Sequence, residues 1–257
     1  MARFSLVFSF LILTFVVATS LNPLLADERD DIDVIPAAVF LAEQYGLYED
    51  ALAVLEDVED DVKKRVAQAK VYKINALAVR EGDSEQANQL YETALNLLRD
   101  VKDDKARLEY ASMLIDIAEA SPSDPKEVNA KRLDDARTAV DELWESINAR
   151  TTIGWTRNDD GSISDLYTVF TKAYYERGRA RYQLALLEPV GSPERKAHLD
   201  RVDAIVSDMI FERLIDEMPI LFDAHILVGD AARALPNPQL AVQKYLDLAI
   251  YLSDYPK

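Results

Sequence analysis

The length, composition and charge of the chain limit what kind of protein it can be. Its 257 residues suffice for one sizeable domain or a short array of repeats, and 49% of them are hydrophobic, which is enough to bury a core. Only 7 glycines and 10 prolines occur, fewer than an all-β fold needs. The net charge of −17 disfavours nucleic-acid binding, and the lack of cysteine excludes disulfides, thiol nucleophiles and thiolate metal sites.

The first 26 residues are typical of a secretory signal peptide. Arg3 precedes the apolar run 4–18, and small residues then allow cleavage after Ser20 or after Ala26. The alternative is an uncleaved N-terminal membrane anchor, but the apolar run is shorter than the roughly 20 residues that a spanning helix needs. We therefore expect an exported protein, periplasmic or extracellular, with no stable membrane insertion after cleavage.

Two acidic runs follow, Asp27 to Asp33 and Glu56 to Asp61. Residues 27–61 contain thirteen acidic residues and one basic residue, Arg29. Such runs can attract divalent cations or basic partners, but most are simply solvated. We interpret them as solvated segments and keep the binding alternative open.

Helical periodicity continues from there almost to the C-terminus. Gly46 marks the end of one helix, and Ser192 with Pro193 marks the start of another. No segment alternates long enough to predict a strand, except near Trp155. The predicted helices span 36–45, 48–58, 62–81, 83–98, 103–120, 125–148, 165–187, 194–217, 220–235 and 237–252.

Three segments share a spacing of small and aromatic residues. In the 34 residues 222–255, places seven, eight, twenty, twenty-four and twenty-seven hold Val228, Gly229, Ala241, Tyr245 and Leu248. The segment 68–101 matches with Gly82, Ala87, Tyr91 and Ala94, and the segment 32–65 matches with Gly46, Tyr48, Ala51 and Leu55. This pattern resembles that of the tetratricopeptide repeat (TPR) family over roughly half of the chain.

The resemblance implies an all-α fold, an α-solenoid of about five helical hairpins in a right-handed superhelix. We expect one domain over residues 27–257, TPR-like at both ends and irregular in the middle, with an insert near 149–164. Alanine or glycine in the pattern would let paired helices approach closely, and the aromatic residue would fill the space between units.

TPR proteins usually hold their ligands against a concave face lined by the first helix of each pair. The resemblance therefore places Tyr72, Lys73 and Arg80 on this face. Aromatic and arginine side chains dominate binding hot spots, so these three residues are a candidate peptide-binding site.

A second candidate binding site consists of Tyr174, Arg177 and Arg181. The two arginines are four residues apart, so they share one helix face and could hold a carboxylate-rich ligand together. The alternative is that both arginines pair with acidic neighbours inside the protein, because the chain is rich in carboxylates.

The segment from Thr156 to Tyr167 resembles a calcium-binding loop around Gly161. However, Thr156 and Tyr167 stand at two places where that loop requires acidic ligands. We interpret the segment as an exposed turn, with Ser164 capping the next helix or Asp165 doing so.

No pattern specific to catalysis or to a cofactor occurs in the sequence. The chain lacks a nucleophile elbow, a phosphate loop and a dinucleotide-binding glycine motif, and His198 and His225 do not have metal-ligand spacing. We therefore predict a protein that is not an enzyme and has no cofactor: an exported scaffold that binds a protein or peptide. The alternatives are a structural subunit of an envelope assembly, which predicts an exposed apolar patch, and a carboxylate-dependent hydrolase, which predicts a closed cavity with converging acids.

Overall fold

The computed structural model describes residues 34–151, 156–158, 160–211 and 220–254, and this part of the chain is all-α. The predicted signal peptide, the acidic run 27–33 and the end of the predicted helix 194–217 lie outside the described residues. The ten helices are α1 Val34–Tyr45, α2 Tyr48–Leu55, α3 Asp61–Val79, α4 Ser84–Leu98, α5 Asp104–Ala120, α6 Lys126–Arg150, α7 Asp165–Leu187, α8 Pro193–Phe211, α9 Ile220–Ala234 and α10 Pro238–Asp254.

Local capping chemistry explains most of the helix boundaries. Asp60, Asp83 and Asp103 each precede a helix, and the side chain of each accepts a hydrogen bond from the backbone N–H three residues on. Ser192 does the same at the start of α8, where it accepts from the Arg195 N–H at 3.1 Å. At the end of α1, Gly46 adopts φ +65°, a left-handed conformation that favours glycine.

The predicted exposed turn is confirmed for the described part of the segment before α7. Arg157 and Ile163 form an isolated antiparallel bridge, and Gly161 at the turn has φ +84°. Ser164 caps α7 by accepting a hydrogen bond from the Tyr167 N–H at 3.1 Å. The Asp160 carboxylate accepts hydrogen bonds from the backbone N–H and the hydroxyl of Ser162, so this carboxylate is bound within the turn itself.

Helix packing follows a regular order along the chain. Each helix packs on the next one in sequence, and in addition α1 packs on α3, α3 on α5, α5 on α7, and α7 on α9. The odd-numbered helices therefore form a continuous row, and each even-numbered helix packs chiefly on its sequence neighbours.

Close contacts at two glycines bring the C-terminal helices together. A Cβ atom at Gly229 of α9 would lie 2.4 Å from Cε1 of Tyr245 in α10, and one at Gly178 of α7 would lie 2.6 Å from a methyl group of Val206 in α8. An alanine at either position would collide with the facing side chain unless that side chain moved. In the segment 222–255, the small residue at place eight and the aromatic residue at place twenty-four therefore pack on each other within one hairpin, and not between units as predicted.

Candidate binding groove

The odd-numbered helices and the residues that cap them line three connected clefts. The N-terminal cleft lies between α1, α3 and the starts of α5 and α7; the central cleft lies between α3, α5, α7 and α9; the C-terminal cleft lies between α5, α7 and α9. We call the three together the odd-helix groove. The central cleft shares Val66, Lys70, Lys105 and Asp165 with the N-terminal cleft, and Tyr175 and Asp223 with the C-terminal cleft.

The N-terminal cleft combines an apolar floor with a charged rim. Its volume is about 690 Å³, and Ile35 and Val39 of α1 line it together with Val62 and Val66 of α3. Aspartates and lysines alternate around it: Asp60, Asp103 and Asp165, with Lys63, Lys70 and Lys105. Such a cleft can bury apolar side chains of a partner while the rim orients its polar groups.

A ladder of ion pairs joins three odd-numbered helices. From α3 to α5, Lys70 contacts Glu109 at 3.3 Å and Lys73 contacts Asp116 at 2.9 Å. From α5 to α7, Asp116 also contacts Arg179 at 2.7 Å. The pKa of Asp116 is lowered: burial would raise it, but the charges and hydrogen bonds of Lys73 and Arg179 outweigh that effect. The ladder therefore fixes the spacing of helices that form the groove.

Glu176 is the most perturbed carboxyl group in the groove. Its side chain lies in α7, the residue is only 8% exposed, and it accepts hydrogen bonds from the Ser112 hydroxyl at 2.9 Å and from Arg179. Burial raises its pKa to about 7, although Arg179 and Ser112 oppose that shift. Arg179 also contacts Glu119 at 2.6 Å, so one guanidinium serves several carboxylates.

The first candidate site from the sequence lies at the α3 end of this ladder. Lys73 pairs with Asp116, and its pKa is raised because the carboxylate outweighs the lowering effect of burial. Tyr72 packs against the central core, and Arg80 lies beside Tyr91 just after the end of α3. None of the three residues lines the clefts of the odd-helix groove. Their contact with a partner stays a prediction.

The second candidate site lies between α6 and α7. Arg177 Nε donates to Asp141 Oδ1 at 2.7 Å, and Arg181 Nη2 donates to Asp141 Oδ2 at 3.1 Å. The Arg177 guanidinium also lies over the Trp144 ring, 4.4 Å from its centroid, and Tyr174 packs edge-on against the same ring. In this structure the intramolecular alternative therefore holds for both arginines, although a role in binding remains a prediction.

Other residues of α7 line the groove. Tyr175, Arg179 and Tyr182 recur at intervals of four and three residues and line the C-terminal cleft. The opposite face carries Ala173 and Ala180, both fully buried. No local sequence signal separates the groove-lining face from that of Tyr174, Arg177 and Arg181, because both faces carry aromatic and basic side chains.

Some other kinds of site are not found in the described part of the chain. No cluster of three histidine, aspartate or glutamate side chains there could hold a metal ion, and no helix there combines the length and hydropathy of a membrane span. A fourth cleft, where Arg107 of α5 lies 3.9 Å from Glu142 of α6, shares no lining residue with the odd-helix groove.

Comparison with known proteins does not assign the chain to a family. No protein-family model matches it, and no curated protein matches it.

Proposed function

We propose that the protein is a TPR-like α-solenoid scaffold that binds an extended segment of another protein along the odd-helix groove. The observation that carries this proposal is the continuity of the three clefts, which run from α1 to α9 and are lined by odd-numbered helices and their caps. A row of first helices lining one surface is the arrangement that stacked helical hairpins produce.

The dimensions of the groove suit an extended peptide. Five helices packed about 9 Å apart span roughly 36 Å between the first and last axes. An extended chain advances about 3.3 Å per residue, so about eleven residues would cover that distance. Because packed helices fix the groove before binding, little conformational entropy would be lost on the scaffold side.

Binding fits the chemistry of the groove better than catalysis does. The raised pKa of Glu176 is a feature that the hydrolase alternative predicts. However, Ser112 and Arg179 occupy the carboxyl group of Glu176, and Arg179 is itself shared with Asp116 and Glu119. A carboxyl group held in such a network belongs to the packing between α5 and α7, whereas a general acid or base needs access to a substrate proton.

We further propose that the scaffold works outside the cytoplasm, on the basis of the signal-like residues 1–26. Its partners would then be envelope or extracellular proteins. N-terminal sequencing of the chain from the producing cells tests this step. A start at residue 21 or 27 would support export, and an intact N-terminus in the cytoplasmic fraction would contradict it.

Site-specific photo-crosslinking in the producing cells tests the binding proposal. A photoreactive phenylalanine analogue replaces Lys172, an exposed residue of the central cleft, or Lys131, an exposed control residue on α6. We expect a discrete crosslinked partner from position 172 and none from position 131. Equal crosslinking from both positions would contradict the groove as the binding site.

One observation favours the second candidate function, a structural subunit of an envelope assembly. Val242, Leu246 and Ile250 follow one another at intervals of four residues on α10 and are 59%, 56% and 60% exposed. An exposed apolar stripe of this kind is suited to a permanent interface. Sedimentation of the purified chain tests this: assembly predicts a species larger than the monomer that Leu246→Gln reduces to the monomer. A wild-type chain that sediments as a monomer would contradict it.

A further inference from the structure

The C-terminal cleft combines aromatic, apolar and acidic side chains. Tyr175 and Tyr182 come from α7, and Asp223 and Asp230 come from α9, with Ile226 and Leu227 between the two aspartates. Both pairs are seven residues apart, so each pair spans two turns of its helix. The pKa of Tyr175 is raised to about 12 by burial, and nearby acidic residues including Asp223 add to the shift.

Within the described residues, the cleft keeps one carboxylate, that of Asp223, without a basic partner. Asp223 is exposed and has no hydrogen bond or ion pair to any of the described residues. Among the described residues, the Asp230 contacts are both to Oδ1, from the Tyr245 hydroxyl at 2.6 Å and from Arg233 at 3.2 Å. Arg179, the basic residue that lines the cleft, is already paired with Asp116, Glu119 and Glu176. An incoming cation would therefore meet a partly unsatisfied acidic surface.

The spacing of the two aspartates selects a particular ligand geometry. Seven helical residues rise about 10.5 Å, so the two carboxylates lie too far apart to share one metal ion. A polyproline II segment has three residues per turn and rises about 3.1 Å per residue, so side chains three positions apart project from one face about 9.3 Å apart. In a β-strand, side chains three positions apart project from opposite faces.

We propose that the C-terminal cleft binds an extended basic segment of the partner, with lysine or arginine at two positions three residues apart. This inference rests on the proposed function of the groove. One basic group faces Asp223 and the other faces Asp230, so this end of the segment runs along α9 and not across the row of helices. Their aliphatic stems pack on Ile226, Leu227 and the tyrosine rings, in the way that long basic side chains cover apolar surface.

Fluorescence anisotropy with short labelled peptides tests the proposal on the purified full chain. The probes are a peptide with the core Lys-Pro-Pro-Lys, one with adjacent lysines (Lys-Lys-Pro-Pro), and one with Glu-Pro-Pro-Glu. The proline cores favour polyproline II geometry and keep the number of residues equal. We expect the first peptide to bind, more weakly at higher salt because the contacts are ionic, and to bind more tightly than the other two.

Matched protein variants locate the binding. Asp223→Asn removes the available carboxylate of the cleft at nearly constant volume, and should weaken Lys-Pro-Pro-Lys binding by roughly two- to fivefold, as expected for one exposed ion pair. Asp208→Asn is the control, since Asp208 is an exposed aspartate of α8 outside the groove. Thermal unfolding of both variants checks the fold. We expect it to be intact in both, because both side chains are exposed.

The outcomes separate this inference from the proposed function. Equal affinity for the acidic peptide or for the adjacent-lysine peptide, or an unchanged affinity in Asp223→Asn, would overturn the inference. If position 172 still crosslinks to a partner while the basic peptide fails to bind, the groove binds a segment of other chemistry. If both experiments fail, the proposed function falls together with the inference.

Discussion

The contact between Gly229 and Tyr245 allows the sharpest test of how the C-terminal hairpin packs. Tyr245 lies on α10 and places its ring on the backbone of α9 at Gly229. The Tyr245 hydroxyl donates to Asp230 Oδ1 at 2.6 Å, so the ring is also held at its far end. The substitution Gly229→Ala would push a methyl group into this ring. Because Asp230 lies beside Gly229 and lines the C-terminal cleft, the test bears on the groove as well.

The expected magnitude follows from two opposing effects. The new Cβ would lie 2.4, 2.7 and 2.8 Å from three atoms of the Tyr245 ring. Overpacking of a core costs about 1–3 kcal/mol, and three contacts below 3.0 Å place this case in the upper half of that range. Alanine gains about 1 kcal/mol over glycine in a helix interior. The net result is a loss of about 1–2 kcal/mol in the free energy of unfolding.

Urea unfolding followed by far-UV circular dichroism measures this loss. The control is Gly82→Ala, since the nearest atom to a Cβ at Gly82 is a backbone oxygen at 3.7 Å and its φ lies outside the left-handed region. We expect this control substitution to leave the free energy of unfolding unchanged or to raise it by up to about 1 kcal/mol. In a Tyr245→Leu background the collision is relieved, so Gly229→Ala should become neutral or stabilising there.

A stabilising effect of Gly229→Ala in the wild-type background would contradict the packing of Tyr245 on Gly229. It would mean that the Tyr245 ring does not lie on Gly229, and that α9 and α10 do not pack as described. An equal loss in the Tyr245→Leu background would also refute it, because the loss would then have another cause.

Three further perturbations test other parts of the structure. Asp141→Asn removes the shared partner of Arg177 and Arg181, and should lower the free energy of unfolding in urea by about 2–4 kcal/mol. A decrease of less than about 0.5 kcal/mol would contradict the pairing. Burial raises the pKa of Glu176 to about 7, so the contribution of this residue to stability is lost as the pH rises from about 4.5 to 7. The free energy of unfolding of Glu176→Gln should therefore rise relative to that of wild type by at most about 3 kcal/mol over this pH range. A difference between the two proteins that does not change with pH would contradict the raised pKa. Ser164→Ala should cost about 1 kcal/mol through loss of the α7 cap, whereas an unchanged urea midpoint would show that the cap is not used.

Local chemistry made most of the helices predictable from the sequence. The predicted helix 165–187 matches α7 at both ends, because Ser164 offers a capping hydroxyl that needs no tertiary context. The predicted helix 48–58 was too long, since α2 ends at Leu55. Glu56 and Asp57 would be unfavourable at the C-terminus of α2, where the helix dipole is negative. Asp60, a little further on, caps the start of α3.

The candidate site was less predictable, because it depends on how α7 is rotated. Aromatic and basic side chains occur all around this helix, so residue types alone do not show which face meets the groove. Arg177 and Arg181 have the spacing of a ligand-binding pair, yet both contact Asp141 of α6. Tyr175 and Arg179 reach the groove because α5 and α9 flank the other face, and that pairing of distant helices has no local signal in the sequence.

The most direct test of the central claim is to map one partner along the whole odd-helix groove. A photoreactive residue replaces Lys63, Lys172 or Ile226, one position in each cleft, and mass spectrometry identifies the crosslinked residues of the partner. We expect the three positions to capture one partner at successive sites, in order, within a stretch of about a dozen residues. Crosslinks scattered over a folded partner surface, or equal capture from Lys131 on α6, would contradict it.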